Sequence, residues 1–419
     1  MKILVLGAGI VGTATAWYAA RDGHEVTVVD RQAGPAMETS FANGGQVSVG
    51  HSEPWANPGA PLKILRWLGR DDAPLLFRPR ADAAQWAWIL RFLVECTPWR
   101  TRENIRRILG LALYSRATLQ QLRAETGIAY DYLGRGILHY FTDERDFERA
   151  RDAAGLMREY GLDRAVQTAA QALALEPALA GSRVPIVGAT YTSGDESGDA
   201  YLFTRALAGL AEAAGVSFHY RHDVLGATQG PGGLSGVLVR SAGGGERVLA
   251  ADAYVAALGS HTPLFVRPLG VSIPVYPAKG YSATLEVTDA ARAPTVSLTD
   301  EAAKLVLSRF GNRLRVAGTA ELSGYSTALN PVRCEALVER MREVFPGAAD
   351  YDRPAFWAGL RPATPSNVPL IGRTRIPNLY LNTGHGTLGW TLGAGSGKAL
   401  ADILSGRKPE VDFPFLGFA

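Results

Sequence analysis

Cysteine is scarce in this chain of 419 residues, which contains only Cys96 and Cys334, far apart in different segments. Two such cysteines provide neither a disulfide framework nor a metal-ligand pattern, so the sequence predicts no metal site and favours a cytosolic location. An excess of charge of one sign is also missing, because 43 basic and 40 acidic residues leave a formal net charge of +3. That charge is too small to indicate nucleic-acid binding. We find no internal repeat and no low-complexity tract.

Charged residues are missing from residues 3–20, and a hydropathy window would read this run as a membrane span or a signal peptide. Three glycines at motif spacing within the run, and a single lysine before it, argue against both. A composition of 47% hydrophobic and 20% charged residues is typical of a soluble globular protein. The length is sufficient for two domains with full cores.

The first thirty residues contain the motif around which the chain is organised. Residues 2–6 are a short apolar run, rich in branched side chains and typical of a buried parallel strand. Residues 7–12 form a glycine-rich turn, residues 13–21 a predicted helix, and a second apolar run at residues 25–29 ends on Asp30. This order of strand, glycine turn, helix, strand and acid is typical of a dinucleotide-binding unit.

Each glycine of this turn has its own physical role. Gly7 permits the tight turn, Gly9 lets the backbone approach a pyrophosphate, and Gly12 lets the helix pack close to the strand. The helix N-terminus offers N–H groups and a positive dipole end to phosphates, while Asp30 can accept hydrogen bonds from ribose hydroxyls. The alternative is a tight turn between two core elements that binds no ligand.

Two more glycine-rich segments follow. Residues 37–46 form a small polar loop with paired glycines, which either wraps a polar ligand closely or is an ordinary surface loop. Near the other end of the chain, a strand at residues 378–383 leads through a turn at residues 384–389 into a helix that runs to residue 404. The N-terminus of that helix can stabilise negative charge on a ligand.

Residues 51–104 hold five of the eight tryptophans. Within them, residues 84–95 are predicted as a helix that is apolar nearly all round, and such a helix is usually buried in a core. The alternative is a membrane-surface or partner contact, for which the basic neighbours would be Lys63, Arg66, Arg70, Arg78, Arg80 and Arg91.

The rest of the chain alternates between further elements. Helices are predicted at 102–126, 143–159, 202–214 and 331–345, and strands at 128–132, 137–141, 217–220, 223–226, 234–240, 246–249, 251–260, 281–287, 303–309 and 313–319. Antiparallel strands inserted into a parallel fold indicate a second domain that covers the ligand.

Six segments together resemble a known family. They are LGAGIVG at 6–12, GHEVTVVDR at 23–31, ETS at 38–40 with NGGQ at 43–46, VYPAKGYS at 275–282, GLRP at 359–362 and NTGHGTLGWT at 382–391. The chain resembles the small-subunit type of bacterial D-amino-acid dehydrogenase, within the wider FAD-dependent family of D-amino-acid oxidase, glycine oxidase and sarcosine oxidase. The last segment is long and unusual, so we treat it as a specific signal.

The resemblance implies an α/β fold of two domains (α+β in organisation), in which a Rossmann-like FAD-binding domain is interrupted by an antiparallel-sheet substrate domain with helices. The expected FAD-binding domain comprises residues 1–60, 195–265 and 355–419, and the expected substrate domain residues 61–194 and 266–354. The residues that match FAD-contact positions are Gly7, Gly9, Ile10, Val11, Gly12, Asp30, Arg31, Ser40, Asn43, Gly44, Gly45, Gln46, Val224, Gly259, Gly359, Arg361, Gly384, His385, Gly386, Thr387 and Leu388. Val224 is placed by strand pattern alone.

In related oxidases the arginine of the GLRP motif binds the substrate carboxylate, and this role maps onto Arg361. A planar guanidinium suits bidentate carboxylate recognition, and the alternative is an arginine in a structural salt bridge. His51, Tyr276, Tyr281 and His385 are the other catalytic candidates, as residues that line the substrate site or order water. For His51 and Tyr276, ordinary packing is an equal alternative.

The reaction that the resemblance implies is oxidation of a D-amino acid by hydride transfer to flavin N5, followed by hydrolysis to a 2-oxo acid and ammonium. Electrons would then pass to a quinone or another carrier, with residues 55–99 as a membrane-surface contact on the inner face of the cell membrane. The alternatives are an oxidase that makes hydrogen peroxide, and a dehydrogenase of a secondary amine such as proline, hydroxyproline or sarcosine. An NAD-dependent enzyme would leave the glycine-rich turn at residues 384–389 unexplained. The near-neutral charge argues against a tRNA-modifying or structural FAD protein.

Overall fold

A computed structural model describes residues 1–67, 69–71 and 73–417. The helices are α1 (Ile10–Arg21), α2 (Ala60–Trp67), α3 (Ala83–Glu95), α4 (Pro98–Thr126), α5 (Glu144–Glu159), α6 (Ala169–Leu175), α7 (Ala200–Ala213), α8 (Thr262–Val266), α9 (Pro331–Val344) and α10 (Gly389–Leu404). The strands are β1 (Lys2–Leu6), β2 (Glu25–Val29), β3 (Gln46–Val47), β4 (Leu75–Phe77), β5 (Ile137–Phe141), β6 (Arg164–Thr168), β7 (Gly188–Thr192), β8 (Glu196–Ser197), β9 (Ser217–His219), β10 (His222–Gly230), β11 (Gly233–Ser241), β12 (Glu246–Leu249), β13 (Ala253–Ala256), β14 (Tyr276–Glu286), β15 (Ser297–Asp300), β16 (Leu305–Phe310), β17 (Arg313–Leu322), β18 (Ala355–Ala363), β19 (Leu370–Arg373) and β20 (Leu379–Thr383).

The first unit is built on a six-stranded sheet in the order β19-β20-β13-β1-β2-β9, in which only β19 is antiparallel to its neighbour. Strand β1 is buried on both faces because layers cover both sides of the sheet. Ile3 and Val5 pack in one core with α1, α4, α7 and α10. Leu4 and Leu6 pack in another core with the β10–β11–β12 sheet and α8. The Rossmann-like unit predicted from the sequence is therefore confirmed.

The second unit is a nine-stranded sheet in the order β18-β14-β17-β16-β15-β5-β7-β6, with β4 beside β17. All of its pairs are antiparallel except β15 with β5 and β17 with β4. Helix α9 covers one face through Cys334, Leu337 and Met341, which pack on strand residues such as Ala283. The opposite face turns towards the first unit, as predicted for a second domain that covers a ligand.

The boundary between the two units differs from the predicted one at two places. Strand β18 lies in the segment assigned to the FAD-binding domain, yet it pairs with β14 along its whole length, for example Arg361 with Ala278. Helix α4 lies in the segment assigned to the substrate domain, yet Ile108 and Leu111 pack in the core of the six-stranded sheet. The unit to which β18 or α4 belongs cannot be read from the sequence, because it depends on contacts between distant segments.

Helix α3 is the main correction to the predicted core. Its Trp88 and Phe92 are buried, but Trp86, Leu90 and Val94 on the other side are 47%, 65% and 55% exposed. The interpretation of residues 84–95 as a buried helix is therefore right for one face only.

The strand predicted at 128–132 is absent, since only Leu133 forms an isolated bridge, to Ser197. In the parts of the chain that the structure describes, no helix has the length and apolarity needed to cross a bilayer.

Candidate functional site

A cavity of about 1450 Å³ lies between the two sheets. The inner face of the nine-stranded sheet forms its roof, where paired residues from four adjacent strands line it in register: His139, Thr299, Val306 and Ala317. Its floor is made by the carboxyl ends of the parallel strands, which is where ligands bind in open α/β sheets.

The first glycine turn borders this cavity through Gly7 and Gly9. Gly7 has φ +106°, and a Cβ on Gly12 would stand 1.9 Å from the carbonyl oxygen of Gly7. Gly12 therefore lets α1 start directly against the turn, as the motif predicted. Gly9 is the N-cap of α1 and has no side chain with which to cap it, while the Ser40 hydroxyl accepts a hydrogen bond from the Ile10 N–H at 3.2 Å. The positive dipole end of the helix suits a phosphate beside this contact.

Asp30 orders the same turn from the end of β2. Its Oδ2 accepts a hydrogen bond from the Ala8 N–H at 2.7 Å, and its Oδ1 accepts one from the Gln32 N–H at 2.8 Å. Burial raises the pKa of Asp30, and these two backbone donors act in the opposite direction. Arg31 lies beside it on the cavity, but its guanidinium is paired with Glu38 at 2.7 Å.

The second glycine turn meets the first one across the cavity. Gly386, Thr387 and Leu388 line the cavity, and α10 packs on α1 behind them. The Nε2 of His385 lies 2.9 Å from the Ser396 hydroxyl, and burial lowers the pKa of His385 to about 3. The imidazole is therefore neutral at physiological pH. Both ends of the chain thus contribute a helix N-terminus to one cavity.

A loop at residues 43–48 is fastened to both units. Towards the roof, the carbonyl oxygen of Gly44 accepts from the Ser308 hydroxyl at 2.7 Å, and the Gln46 amide donates to the Leu298 carbonyl at 3.1 Å. Towards the floor, the Ser48 N–H donates to the Thr391 hydroxyl of α10 at 3.1 Å. A Cβ on Gly44 would stand 2.1 Å from Cγ2 of Val306, so this glycine is required for close packing under the roof.

A buried carboxylate, Asp195, fixes the continuation of that loop. It accepts hydrogen bonds from the Val49 N–H at 3.0 Å, the Gly50 N–H at 2.9 Å and the Ser48 hydroxyl at 3.1 Å. Arg116 of α4 pairs with it at 2.9 Å. These contacts set the position of the short turn Val49–His51. The sequence indicated only that the FAD-binding domain resumes at residue 195, and it did not identify this role.

Arg361 reaches into the roof from β18. Its guanidinium donates to the carbonyl oxygens of Thr319 at 2.6 Å and Gly318 at 3.2 Å. A Cβ on Gly280 would stand 2.2 Å from the centre of that guanidinium, so the side chain lies flat across β14. Among the described residues no carboxylate pairs with it. Burial, together with the nearby Arg333, lowers the pKa of Arg361 to about 10, so the group stays cationic at neutral pH.

The other end of the cavity is polar. His51, His139 and Glu301 meet there, with Nδ1 of His139 2.8 Å from Oε1 of Glu301. Lys304 pairs with the other carboxylate oxygen at 2.6 Å. Burial lowers the pKa of His51. It also lowers the pKa of His139, in this case to about 3. Both imidazoles are therefore neutral at neutral pH. His139 and Glu301 were not among the predicted site residues, because residues so distant in sequence give no local motif.

Most of the predicted site residues line this one cavity. Those that do are Gly7, Gly9, Ile10, Val11, Asp30, Arg31, Ser40, Asn43, Gly44, Gly45, Gln46, His51, Val224, Gly259, Tyr281, Gly359, Arg361, His385, Gly386, Thr387 and Leu388. Gly12 and Gly384 lie outside its lining, where Gly12 supports the turn as described and Gly384 has φ +84°.

The two tyrosine candidates lie differently with respect to the cavity. Tyr276 lies outside the cavity lining, where it packs with Trp88 and donates a hydrogen bond from its hydroxyl to Asp82 at 3.1 Å. Tyr281 borders the cavity, but its side chain belongs to the core beneath α9 and its hydroxyl donates to Glu321. Both hydroxyls are thus engaged in contacts with carboxylates, and a catalytic role for either tyrosine stays a prediction.

The cavity fits an FAD molecule. Two helix N-termini border the cavity, at Gly9 and Gly386–Leu388, and they suit the pyrophosphate and the electron-rich end of the ring system. Asp30 stands where a ribose would lie in a dinucleotide-binding unit. Glycines at 44 and 45 leave room along the loop that connects these elements to the roof.

Known proteins resemble the chain over nearly its whole length. The chain matches the family DAO, FAD dependent oxidoreductase, over residues 2–403. The D-amino acid dehydrogenase of Dechloromonas aromatica (strain RCB) is 60% identical over 416 residues, which cover 99% of this chain and 100% of the relative. The D-amino acid dehydrogenase of Paramagnetospirillum magneticum is 53% identical over 418 residues, which cover 100% of this chain and 98% of the relative.

Solved structures share the fold at low sequence identity. Glycine oxidase from Geobacillus kaustophilus has a TM-score of 0.75 with 21% identity, covering 100% of this chain and 98% of that one. L-proline dehydrogenase from P. horikoshii has a TM-score of 0.72 with 17% identity, covering 98% of this chain and 94% of that one. The family match and the full-length relatives together show that the chain belongs to the DAO family of FAD-dependent oxidoreductases, with FAD as its cofactor.

Proposed function

We propose that this protein is an FAD-dependent D-amino-acid dehydrogenase, which converts D-amino acids to 2-oxo acids and ammonium. Full-length relatives at 60% and 53% identity carry the name D-amino acid dehydrogenase. Within the structure, the proposal depends on one observation above all: a cationic arginine, Arg361, lies in the roof of the cofactor cavity with no acidic partner among the described residues.

A substrate carboxylate is the counter-ion that Arg361 lacks. A guanidinium has five N–H donors, and the bonds to Thr319 and Gly318 use two of them. The remaining donors can bind a carboxylate in the fork geometry that arginine favours. A buried cation without this ligand is costly, so binding of an amino acid carboxylate compensates a charge that the fold leaves unpaired.

The chain's contribution to the reaction is mainly positioning. Bound FAD supplies the acceptor for the hydride that leaves Cα of the substrate. Arg361 fixes the carboxylate under the roof, and burial in the cavity keeps bulk water away from the reacting atoms. Water hydrolyses the released imino acid to the 2-oxo acid and ammonium. No acid–base pair is required at Cα, which agrees with the neutral state of His385 and His51.

Dye-linked oxidation by the purified holoenzyme tests this function. We expect D-alanine and related D-amino acids to reduce an artificial dye, and their L-enantiomers to be inactive. Arg361→Ala should lower kcat/KM by about 30- to 5000-fold, since loss of one partner of a buried charge pair costs about 2–5 kcal/mol. Arg361→Lys should lower it by about 10- to 100-fold, because the charge remains but the fork is lost.

The matched control is Arg353→Ala, since Arg353 is an exposed arginine whose side chain is 88% accessible. It should leave kcat/KM unchanged. Turnover of L-proline or sarcosine by an enzyme that ignores D-alanine would contradict the substrate assignment and favour the secondary-amine alternative. Stoichiometric hydrogen peroxide in place of dye reduction would favour the oxidase alternative.

We also propose that the electrons leave to a quinone or a similar apolar carrier at the inner face of the cell membrane, and that residues 55–99 contact the bilayer. Large apolar side chains are exposed on α2, α3 and the start of α4; they are Leu62, Leu65, Trp86, Leu90, Leu93, Val94 and Trp99. Three of them, Leu65, Trp86 and Leu93, also line the cavity. The apolar face is therefore continuous with the cavity that would hold FAD, which suits a carrier dissolved in lipid.

Vesicle binding tests this contact. The double variant Leu90→Glu/Val94→Glu should bind vesicles of anionic lipid at least tenfold more weakly than the wild type, since two charges would enter the apolar layer. Its activity with a water-soluble dye should be retained. The matched control is Val248→Glu/Leu329→Glu, at side chains that are 57% and 46% exposed elsewhere on the surface. A wild-type enzyme that ignores vesicles while its dye-linked activity is intact would exclude the membrane contact.

A further inference from the structure

Three side chains with metal-binding atoms converge at the polar end of the cavity. His51 lies in the turn that follows the loop at residues 43–48, and His139 lies in β5. Glu301 is the residue directly after β15. One nitrogen of each imidazole and one carboxylate oxygen of Glu301 all lie within 4.8 Å of one another. The two imidazole centres are 5.7 Å apart and tilted by 30°.

The imidazoles of this cluster are not satisfied by protein groups. Nδ1 of His139 contacts Glu301, but Nε2 is buried with no hydrogen-bond partner in the described part of the chain. The whole His139 residue is only 1% exposed. His51 likewise has no hydrogen bond from its ring to any described residue. Buried polar atoms are nearly always paired, so the unpaired nitrogen points to a ligand that accepts its lone pair or donates to it.

The cluster is separate from the proposed carboxylate site. Strand β5, which carries His139, lies three strand spacings from β17, whose Thr319 and Gly318 carbonyls hold the Arg361 guanidinium. At about 4.8 Å per spacing the two strands are roughly 14 Å apart along the sheet. An amino acid held by Arg361 is too short to reach from one strand to the other. A different ligand must therefore be considered for the polar end.

We propose that His51, His139 and Glu301 form a binding site for a divalent transition-metal ion of the zinc class. Two imidazoles and one carboxylate are a ligand set that Zn²⁺, Co²⁺, Ni²⁺ and Cu²⁺ accept, with water completing the coordination. Mg²⁺ and Ca²⁺ require more oxygen ligands than the cluster offers. The bound ion would connect the turn Val49–His51, which follows the floor loop, to two strands of the roof.

Two neighbouring cations set the expected strength of binding. Lys304 lies 2.6 Å from Oε2 of Glu301, and Arg164 donates to the Gly50 carbonyl and to the Thr190 hydroxyl at 2.8 Å. Lys304 holds Oε2 and restrains the carboxylate, as outer-shell partners of metal ligands do, while Oε1 faces Nδ1 of His139. Both positive charges also repel a dication, so we expect micromolar rather than nanomolar affinity. Site occupancy then depends on the supplied metal.

Metal titration of the untagged holoenzyme tests the site. After treatment with a chelator and buffer exchange, equilibrium dialysis against ZnCl₂ should show one ion bound per chain. CoCl₂ should give visible absorption bands that are typical of nitrogen and oxygen ligation, at wavelengths beyond the flavin bands. His51→Ala and His139→Gln should each weaken binding at least tenfold, and Glu301→Gln should weaken it about 10- to 100-fold. MgCl₂ should not compete.

Matched controls keep the result independent of folding and of the proposed activity. His24→Ala removes a histidine outside the cavity lining, whose ring contacts Ser405, and it should bind Zn²⁺ as the wild type does. Flavin absorbance and melting temperature identify any variant that fails to fold. The proposal is overturned if the wild type takes up no Zn²⁺ or Co²⁺, or if the double variant His51→Ala/His139→Gln binds with unchanged affinity.

Discussion

Replacing Asp195 by asparagine tests whether one buried carboxylate holds the floor loop in place. Asp195 is 1% exposed and accepts from two backbone N–H groups, the Ser48 hydroxyl and Arg116. Its two oxygens divide these donors, with Val49 and Arg116 on Oδ1 and Gly50 and Ser48 on Oδ2. Asparagine has an NH₂ group in place of one of the two carboxylate oxygens. That NH₂ group must then face the backbone N–H that the lost oxygen accepted from.

The size of the effect follows from this geometry. An unsatisfied buried donor costs about 1–3 kcal/mol, and loss of the charge that faces Arg116 costs about 1 kcal/mol more. We therefore expect Asp195→Asn to destabilise the loop locally by about 3 kcal/mol, which corresponds to roughly 100-fold faster opening. Asp195→Ala should cost about 4 kcal/mol, because it leaves Arg116 and both N–H groups unpaired.

Hydrogen exchange followed by mass spectrometry measures this opening directly. The amides of Val49 and Gly50, read in a peptide spanning the loop, should exchange roughly 100-fold faster in Asp195→Asn. Asp163→Asn is the matched control, since Asp163 is an exposed aspartate nearby that accepts only from the Ser193 hydroxyl at 2.8 Å. Unchanged exchange in Asp195→Asn, or equal acceleration in Asp163→Asn, would refute the reasoning.

Two further predictions concern the glycine turn and acid stability. Gly12→Ala should abolish FAD retention, measured as flavin absorbance per protein, because its Cβ would meet the Gly7 carbonyl oxygen at 1.9 Å; Gly209→Ala, in open space on α7, should retain FAD. His385 has a pKa of about 3 when folded against 6.5 as its ordinary value. The unfolded chain therefore binds the extra proton, and stability should fall by about 1.4 kcal/mol per pH unit as pH decreases from 6.5 towards 3. In urea unfolding, His385→Asn should show a shallower loss between pH 6.5 and 4.5, and an unchanged slope would contradict the prediction.

The parts of the fold that could be predicted from sequence are those with local signals. The strand, glycine turn and helix at each end of the chain depend on residues within about thirty positions, so the motif at Gly7–Gly12 and the segment 382–391 were sufficient to place the cofactor cavity. The glycines also carry direct steric information, as the contact between Gly12 and Gly7 shows. FAD as cofactor and the family followed from these segments, and both are confirmed by the family match.

The remaining parts depend on pairing between distant segments. His139 and Glu301 are 162 positions apart and meet because β5 and β15 pair in parallel, with His139 beside Thr299. Which face a strand residue occupies is equally non-local. The pattern at residues 281–287 predicts a strand, but only the sheet and α9 together determine that Tyr281 points into the second core. The sequence pattern also could not show that α3 covers the core with one face only.

The loop that is fastened to both units has a consequence for the lifetime of the bound cofactor. Gly44 and Gln46 are held by the roof through Ser308 and Leu298, while Ser48 is held by α10. The two units therefore cannot swing apart like a hinge without breaking these bonds. Release of an enclosed flavin by such a hinge motion would require this segment to detach, so exchange with free FAD by that route should be as slow as partial unfolding.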